Sequence, residues 1–194
     1  MSSDVEGAST RGDGGRSRAR LLLIGSVVAT TLAVLVYGGL AARFIVWPDL
    51  EPVPDRVDAV VELGGLGDRD ETTLALAREG RTKYVVQSTM QAEAGTDRCL
   101  PAVHDVTILC FSADPGTTRG EAQYIGEAAR EYGWHSVVLV TSPDHALRAK
   151  LRVSRCFPGK VYIEPSELPA EYWPRQVIYQ SAAFVKALVF QTEC

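Results

Sequence analysis

Histidine is scarce in this chain. Among 194 residues only His104, His135 and His145 occur, too few for a histidine-rich metal cluster. The four cysteines, Cys99, Cys110, Cys156 and Cys194, show neither CxxC nor CxxH spacing, which argues against zinc. No GxSxG elbow is present, so Ser142 has no context marking it as a nucleophile. The run Gly64-Gly65-Leu66-Gly67 is not GxGxxG. The apolar run after it ends in Gln87-Ser88, without the acidic residue a nicotinamide ribose needs, which disfavours a dinucleotide-linked oxidoreductase. Net charge is −4 and the folded part has no basic patch, so nucleic acid is not expected as a partner. There are no internal repeats.

What is present begins with a long uncharged stretch. Residues 21–42 carry no charge between Arg20 and Arg43. The stretch matches the ~20 residues needed to cross a bilayer and exceeds the ~7–15 of a signal-peptide core. It reads as a retained single-pass anchor, with the small residues Gly38, Gly39, Ala41 and Ala42 as the argument for cleavage instead. Arg11, Arg16, Arg18 and Arg20 precede it, while Asp49, Glu51 and Asp55 follow. The positive-inside rule then places the N-terminus in the cytoplasm and the C-terminal domain outside the cell membrane. An even set of cysteines agrees, implying disulfides in an oxidising compartment. Of three connectivities, Cys99–Cys110 with Cys156–Cys194 is favoured, because the first closes the loop ahead of a strand and the second ties down the last residue.

The expected organisation is a disordered basic tail over 1–20, a transmembrane anchor over 21–43, a Pro-rich spacer over 44–55 and an α/β domain over 56–194. Trp47 would sit at the headgroup level, and Pro48, Pro52 and Pro54 would stiffen the spacer that lifts the domain off the membrane. Short apolar runs at 58–63, 83–87, 106–111, 136–141 and 161–164 read as strands. Residues 70–81, 118–132, 143–156 and 172–190 read as helices, the last with Trp173, Val177, Phe184 and Leu188 on one side. Residues 88–105 show no period and are expected to form a long surface loop. The alternation predicts a three-layer, doubly wound, mostly parallel sheet of about five strands.

Ligands of such folds bind outside the carboxyl ends of the strands, where loops 64–68, 112–121 and 142–148 should converge. Ser142 is a plausible N-cap and Pro143 suits the first helical position. His145 and Arg148 then share a helix face, and the helix dipole would keep His145 neutral and available as a base. Thr118 and Glu121 have two readings. They form a capping box, or Thr118 and Arg119 bind an anion while Glu121 serves as acid or base. Arg119 at a helix N-terminus opposes the dipole unless an anion or acid offsets it. Gly64 and Gly65 would allow close backbone approach to a ligand, or simply make a tight turn. Glu62, Asp68, Glu121 and His145 could supply metal ligands, but no spacing requires it and no metal site is assigned.

Three blocks carry a resemblance: Asp58-Ala59-Val60-Val61-Glu62-Leu63-Gly64-Gly65, Thr117-Thr118-Arg119-Gly120-Glu121-Ala122, and Val140-Thr141-Ser142 with His145, Arg148 and Ala149. Together they resemble the signature blocks of the YdcF-like domain family, typified by SanA and ElyC, over about residues 56–160. Two departures stand out. Ser88-Thr89-Met90 replaces the family's Ser-Gly-Gly, and Glu62 stands where the family has an apolar residue. The four cysteines and the excess of arginine over lysine look like the actinobacterial branch.

The resemblance implies a membrane-anchored extracytoplasmic domain acting in cell-envelope, peptidoglycan or lipid-carrier metabolism. It would bind an anionic small molecule or lipid-linked phosphate, phosphorylated or nucleotide-like, through Gly64, Gly65, Thr118, Arg119, Ser142 and Arg148. If the domain is an enzyme, His145 and Glu121 are the acid/base candidates for hydrolysis or transfer at a phosphate-linked group. No cofactor is required, although the resemblance admits S-adenosylmethionine or a nucleotide. The rival expectation is a non-enzymatic scaffold docking onto envelope-synthesis proteins.

Overall fold

A computed structural model describes residues 13–89 and 99–194, with side chains from Arg18 onward. The expectations for 1–12 and for the 90–98 part of the long loop lie outside the described residues. The chain divides into two units, residues 1–40 and 41–194.

The first unit is built on α1 (Asp13–Ala41). Most of its large apolar side chains, Leu21, Val28 and Leu35 among them, are more than half exposed, while Ala41 at the helix end is buried. The segment Arg18–Val46 is long and apolar enough to cross a membrane, with a mean hydropathy of 2.2 in its best window. The helix begins at Asp13, so the disorder expected through Arg20 does not extend over 13–20. Once a long apolar helix is nucleated, each further residue adds a hydrogen bond at little cost.

The second unit opens with a π-helical turn, Ala42–Val46, and then a five-stranded sheet, all parallel. Its strands are β1 (Ala59–Glu62), β2 (Tyr84–Ser88), β3 (Thr107–Phe111), β4 (Ser136–Thr141) and β5 (Lys160–Pro165), in the order β3-β2-β1-β4-β5. Central β1 sets Val60 opposite both Val85 and Val138. β-branched residues buried on both faces are what a central parallel strand requires, and alternation splits them between two cores. Val61, Leu63, Leu139 and Val137 pack with Ile125 of α3 (Thr118–Tyr132) and with Ala149 and Val153 of α4 (Pro143–Cys156). Val60, Val85, Val138 and Val140 pack on the other face with Leu76 and Ala77 of α2 (Asp70–Arg78) and with Leu100. The result is a three-layer, Rossmann-like α/β sandwich. A last helix, α5 (Trp173–Val189), packs against α4.

Two expectations need correction here. Residues 44–55 are not a free spacer. Ile45 is buried, Leu50 packs against the α3/α4 core and Val53 against the other one. Glu51 pairs with Lys150 at 2.8 Å, and the Pro54 carbonyl accepts from Arg81. Half-burying Leu50 and Val53 removes part of their apolar area from water, a gain below the about 1.5–3 kcal/mol of full burial, which strapping to the domain supplies and an extended spacer would not. In α5 the fully buried residues are Gln180 and Ala187, while Leu188 is exposed and Trp173, Val177 and Phe184 are half-buried.

Disulfides join Cys99 to Cys110 and Cys156 to Cys194, with Cα–Cα distances of 5.9 and 4.9 Å. Loop entropy assigns them about 3 and 4 kcal/mol respectively.

Candidate functional site

β1 and β4 lie side by side at the centre of the sheet, yet the chain leaves them toward opposite faces, β1 to α2 and β4 to α4. That divergence opens a crevice at the carboxyl ends of the two strands. It holds a cavity of about 510 Å³. All six residues expected to bind a ligand, Gly64, Gly65, Thr118, Arg119, Ser142 and Arg148, line it, and so does His145.

At α3 the helix is capped by Thr117, whose extended backbone lets its hydroxyl accept from the Gly120 amide. The expected Thr118/Glu121 capping box is therefore corrected by one residue. Thr118 is the first helical position, and its Oγ1 lies 3.3 Å from both Arg148 Nη1 and His145 Nε2. Glu121, one turn on, is fully buried and does not line the cavity. Its Oε1 accepts from the Gly64 amide at 2.7 Å, so it ties the β1 loop to α3. Burial pushes its pKa up, against the pull of that amide, Ser88, Arg69 and Arg148.

At α4 the backbone is as expected. Ser142 is the N-cap and Pro143 is at the helix start, but the Ser142 hydroxyl makes no capping bond. It accepts instead from Arg69 Nη2 at 3.3 Å. His145 is only 4% exposed. Its Nδ1 lies 2.9 Å from Thr141 Oγ1 and its Nε2 faces Thr118, so hydroxyls fix both ring nitrogens. Burial first, then the charges of Arg148 and Arg69, hold its pKa well below the usual histidine range. Its neutrality was expected from the helix dipole, but burial is the main cause.

Arg69 is a cavity-lining residue that sequence reasoning missed. It is 4% exposed and lines the cavity, donating to the carbonyls of Leu63 and Leu66 as well as to Ser142. It stands at the start of α2, where a cation opposes the helix dipole, the same signal that singled out Arg119. The role expected of Gly65 changes accordingly. At φ +150° a Cβ there would lie 2.5 Å from Arg69 Nη2, so the close approach serves this guanidinium. Burial lowers the Arg69 pKa while Glu121, Asp144 and Glu62 support its charge.

Gln180 of α5 was also missed, because a lone glutamine in an amphipathic helix carries no signal. Its Nε2 donates to Asp144 Oδ2 at 3.0 Å and its Oε1 accepts from Arg148 Nε at 2.8 Å. One polar chain thus runs Asp144, Gln180, Arg148, Thr118, His145, Thr141. Arg119 donates to the main-chain oxygen of Cys194 at 3.1 and 2.8 Å, an oxygen brought close by the Cys156 disulfide. Arg152 donates to the carbonyl and side chain of Gln191.

Glu62 is buried, bonded to Gln87 and away from the cavity lining. Burial, reinforced by Asp70, raises its pKa to about 7. Among the described residues no three acidic, cysteine or histidine side chains cluster closely enough to hold a metal ion. Glu62, Asp68, Glu121 and His145 therefore do not form a ligand set.

The charge of the cavity is one-sided. Among the described residues, Arg69, Arg119, Arg148, Arg152, Arg175 and Lys186 line it against the single carboxylate of Asp144. Arg69, Arg148 and Arg152 spend their hydrogen bonds on amides, hydroxyls and carbonyls, which orient a cation without neutralising it. The N-termini of α3 and α4 open onto the same space and add partial positive charge. Compared with known proteins, the chain matches no family model, no curated protein and no solved structure.

Proposed function

We propose that residues 41–194 form a YdcF-like extracytoplasmic domain, held at the cell membrane by the preceding helix, that binds a phosphorylated or nucleotide-like metabolite of the cell envelope. The observation carrying this reading is the excess of cations over carboxylates in a cavity at the topological switch point. A phosphate has enough acceptor oxygens to take Arg148, Arg69, Ser142 and a helix N-terminus together. The disulfides and the positive-inside asymmetry support the compartment. S-adenosylmethionine does not fit the lining, because its sulfonium and ammonium would meet six cations and one carboxylate already engaged by Gln180.

The reaction we propose is hydrolysis or transfer at the phosphate. Neutral His145 is the base and the arginines stabilise the charge that develops. A water or acceptor hydroxyl bonds to phosphorus and its proton passes to Nε2 of His145. The bond from phosphorus to the bridging oxygen breaks, and the leaving oxygen takes the proton back from the imidazolium. Glu121, buried behind Gly64, positions the β1 loop.

A thermal-shift screen of the full chain in detergent micelles tests the reading, using pyrophosphate, nucleotides, nucleotide sugars, polyprenyl phosphate and S-adenosylmethionine. A ligand at ~100 times its Kd adds ~2.7 kcal/mol. The expected result is a stabilisation by one of the phosphates that disappears in Arg148→Ala. No shift with any of them would leave the scaffold reading standing.

A further inference from the structure

Helix α5 is built inside out. Gln180 is buried at 5% exposure, whereas Ile178, Val185 and Val189 are 69, 56 and 62% exposed. With exposed Ala182 they fall at i, i+4, i+7 and i+11, a single stripe along the side of the helix opposite Gln180 and Ala187. A surface helix facing water carries polar residues there. Arg175 and Lys186 border the stripe on the flank that lines the cavity.

The chain itself identifies what covers this stripe. The apolar span ends at Val46, in the π-helical turn Ala42–Val46, and that turn packs against α5. Phe44 and Trp47 at the same place are 47 and 74% exposed. An apolar stripe bordered by cations, next to an exposed tryptophan where the span ends, is the composition of a helix lying in a membrane interface.

We propose that α5 docks in the bilayer that holds the Arg18–Val46 span, with Ile178, Ala182, Val185 and Val189 among the acyl chains and Arg175 and Lys186 at the headgroup phosphates. The inference rests on the reading that this span crosses a membrane. It sets the α5 wall of the cavity at the headgroup layer, so that anionic ligands are taken up at the membrane surface.

Fluorescence quenching in the full chain tests it. Trp47→Phe and Trp173→Phe leave buried Trp134, 5% exposed, as an internal reference whose emission also reports a misfolded variant. Onto this background go Val185→Trp and Ile178→Trp on the stripe, Val28→Trp in the span, and Glu127→Trp on the exposed face of α3. Each protein is reconstituted in phosphatidylcholine and phosphatidylglycerol vesicles, with or without bromine in mid-chain. At an interfacial depth of ~5–10 Å the added emission of both stripe tryptophans should fall about twofold or more, with Glu127→Trp unaffected. Quenching at Val28→Trp but at neither stripe position would overturn the docking and leave the anchor intact. Quenching at none of the three would overturn both.

Discussion

Strand β1 is flanked by two carboxylates that live opposite lives. Asp58, just before the strand, accepts from the His135 amide at 2.8 Å, the Ser136 amide at 2.8 Å and the Ser136 hydroxyl at 3.0 Å. Partial burial works against its charge, but these donors outweigh it and its pKa lies below the ordinary carboxylate range. Glu62, the last strand residue, is buried with Gln87 as its hydrogen-bond donor across the sheet, and its pKa rises to about 7. The amino end of the sheet spends its polar groups on stability. At the carboxyl end Glu62, Arg69, Glu121, Asp144 and His145 are buried together, and burial shifts the pKa values of Glu62, Arg69, Glu121 and His145. Concentrations of strained titration of that kind mark functional sites more often than structural ones.

The comparison can be broken first at Asp58. Asp58→Ala leaves two amides and a hydroxyl without their acceptor and should cost roughly 3 kcal/mol in chemical denaturation. Affinity for pyrophosphate, measured by calorimetry on the folded fraction, should not change, since the lesion is at the far end of the sheet.

Glu62 should act through pH. A carboxyl whose folded pKa is raised contributes stability that is fully present below its unfolded value and is lost as pH rises through the folded one, here about 7. The Glu62 component of stability should therefore fall between about pH 5 and pH 8, by at most ~3 kcal/mol, and Glu62→Gln should remove that component from the measured slope. An unchanged slope would show that Glu62 ionises freely and that the contrast with Asp58 is wrong. His145 has the opposite sign. Its lowered pKa favours the neutral folded form, so its contribution is lost as pH falls below the ordinary histidine value.

Arg148→Ala should weaken pyrophosphate binding by about 1.5–3 kcal/mol, the worth of a charge-assisted bond, while stability falls less than Asp58→Ala makes it fall. Arg119→Ala should have the smallest effect. Its guanidinium is exposed and bonded to the Cys194 oxygen, so a loss below about 1 kcal/mol in binding is expected.

Most of the fold was legible because the buried strands are valine-rich runs of the right length. The N-cap at Ser142 and the favoured cysteine pairing were expected from local pattern, whereas the strand order, and with it the switch point between β1 and β4, came only with the structure. The errors have two sources, local geometry that residue type leaves open and contacts between segments distant in sequence. Arg69 carried the same signal as Arg119, a cation at a helix start, but that signal does not say that its guanidinium folds back over Gly65, and nothing in α5 reveals that Gln180 bridges Asp144 and Arg148. The capping box failed because Thr117 and Thr118 are chemically identical, and only the turn after Pro115 decides which one is helical. Leu50 and Val53 were read through the prolines around them, which hid their own apolar surface.

Amide hydrogen exchange of the full chain, with and without saturating pyrophosphate, tests the central claim most directly. The account predicts slowed exchange at Thr118, Arg119, Asp144 and His145, where two helix N-termini face the cavity, and no change around Asp58 and Ser136. Protection confined to the opposite end of the sheet, where Arg56, Arg78 and Lys83 line a separate hollow, or protection nowhere, would contradict it.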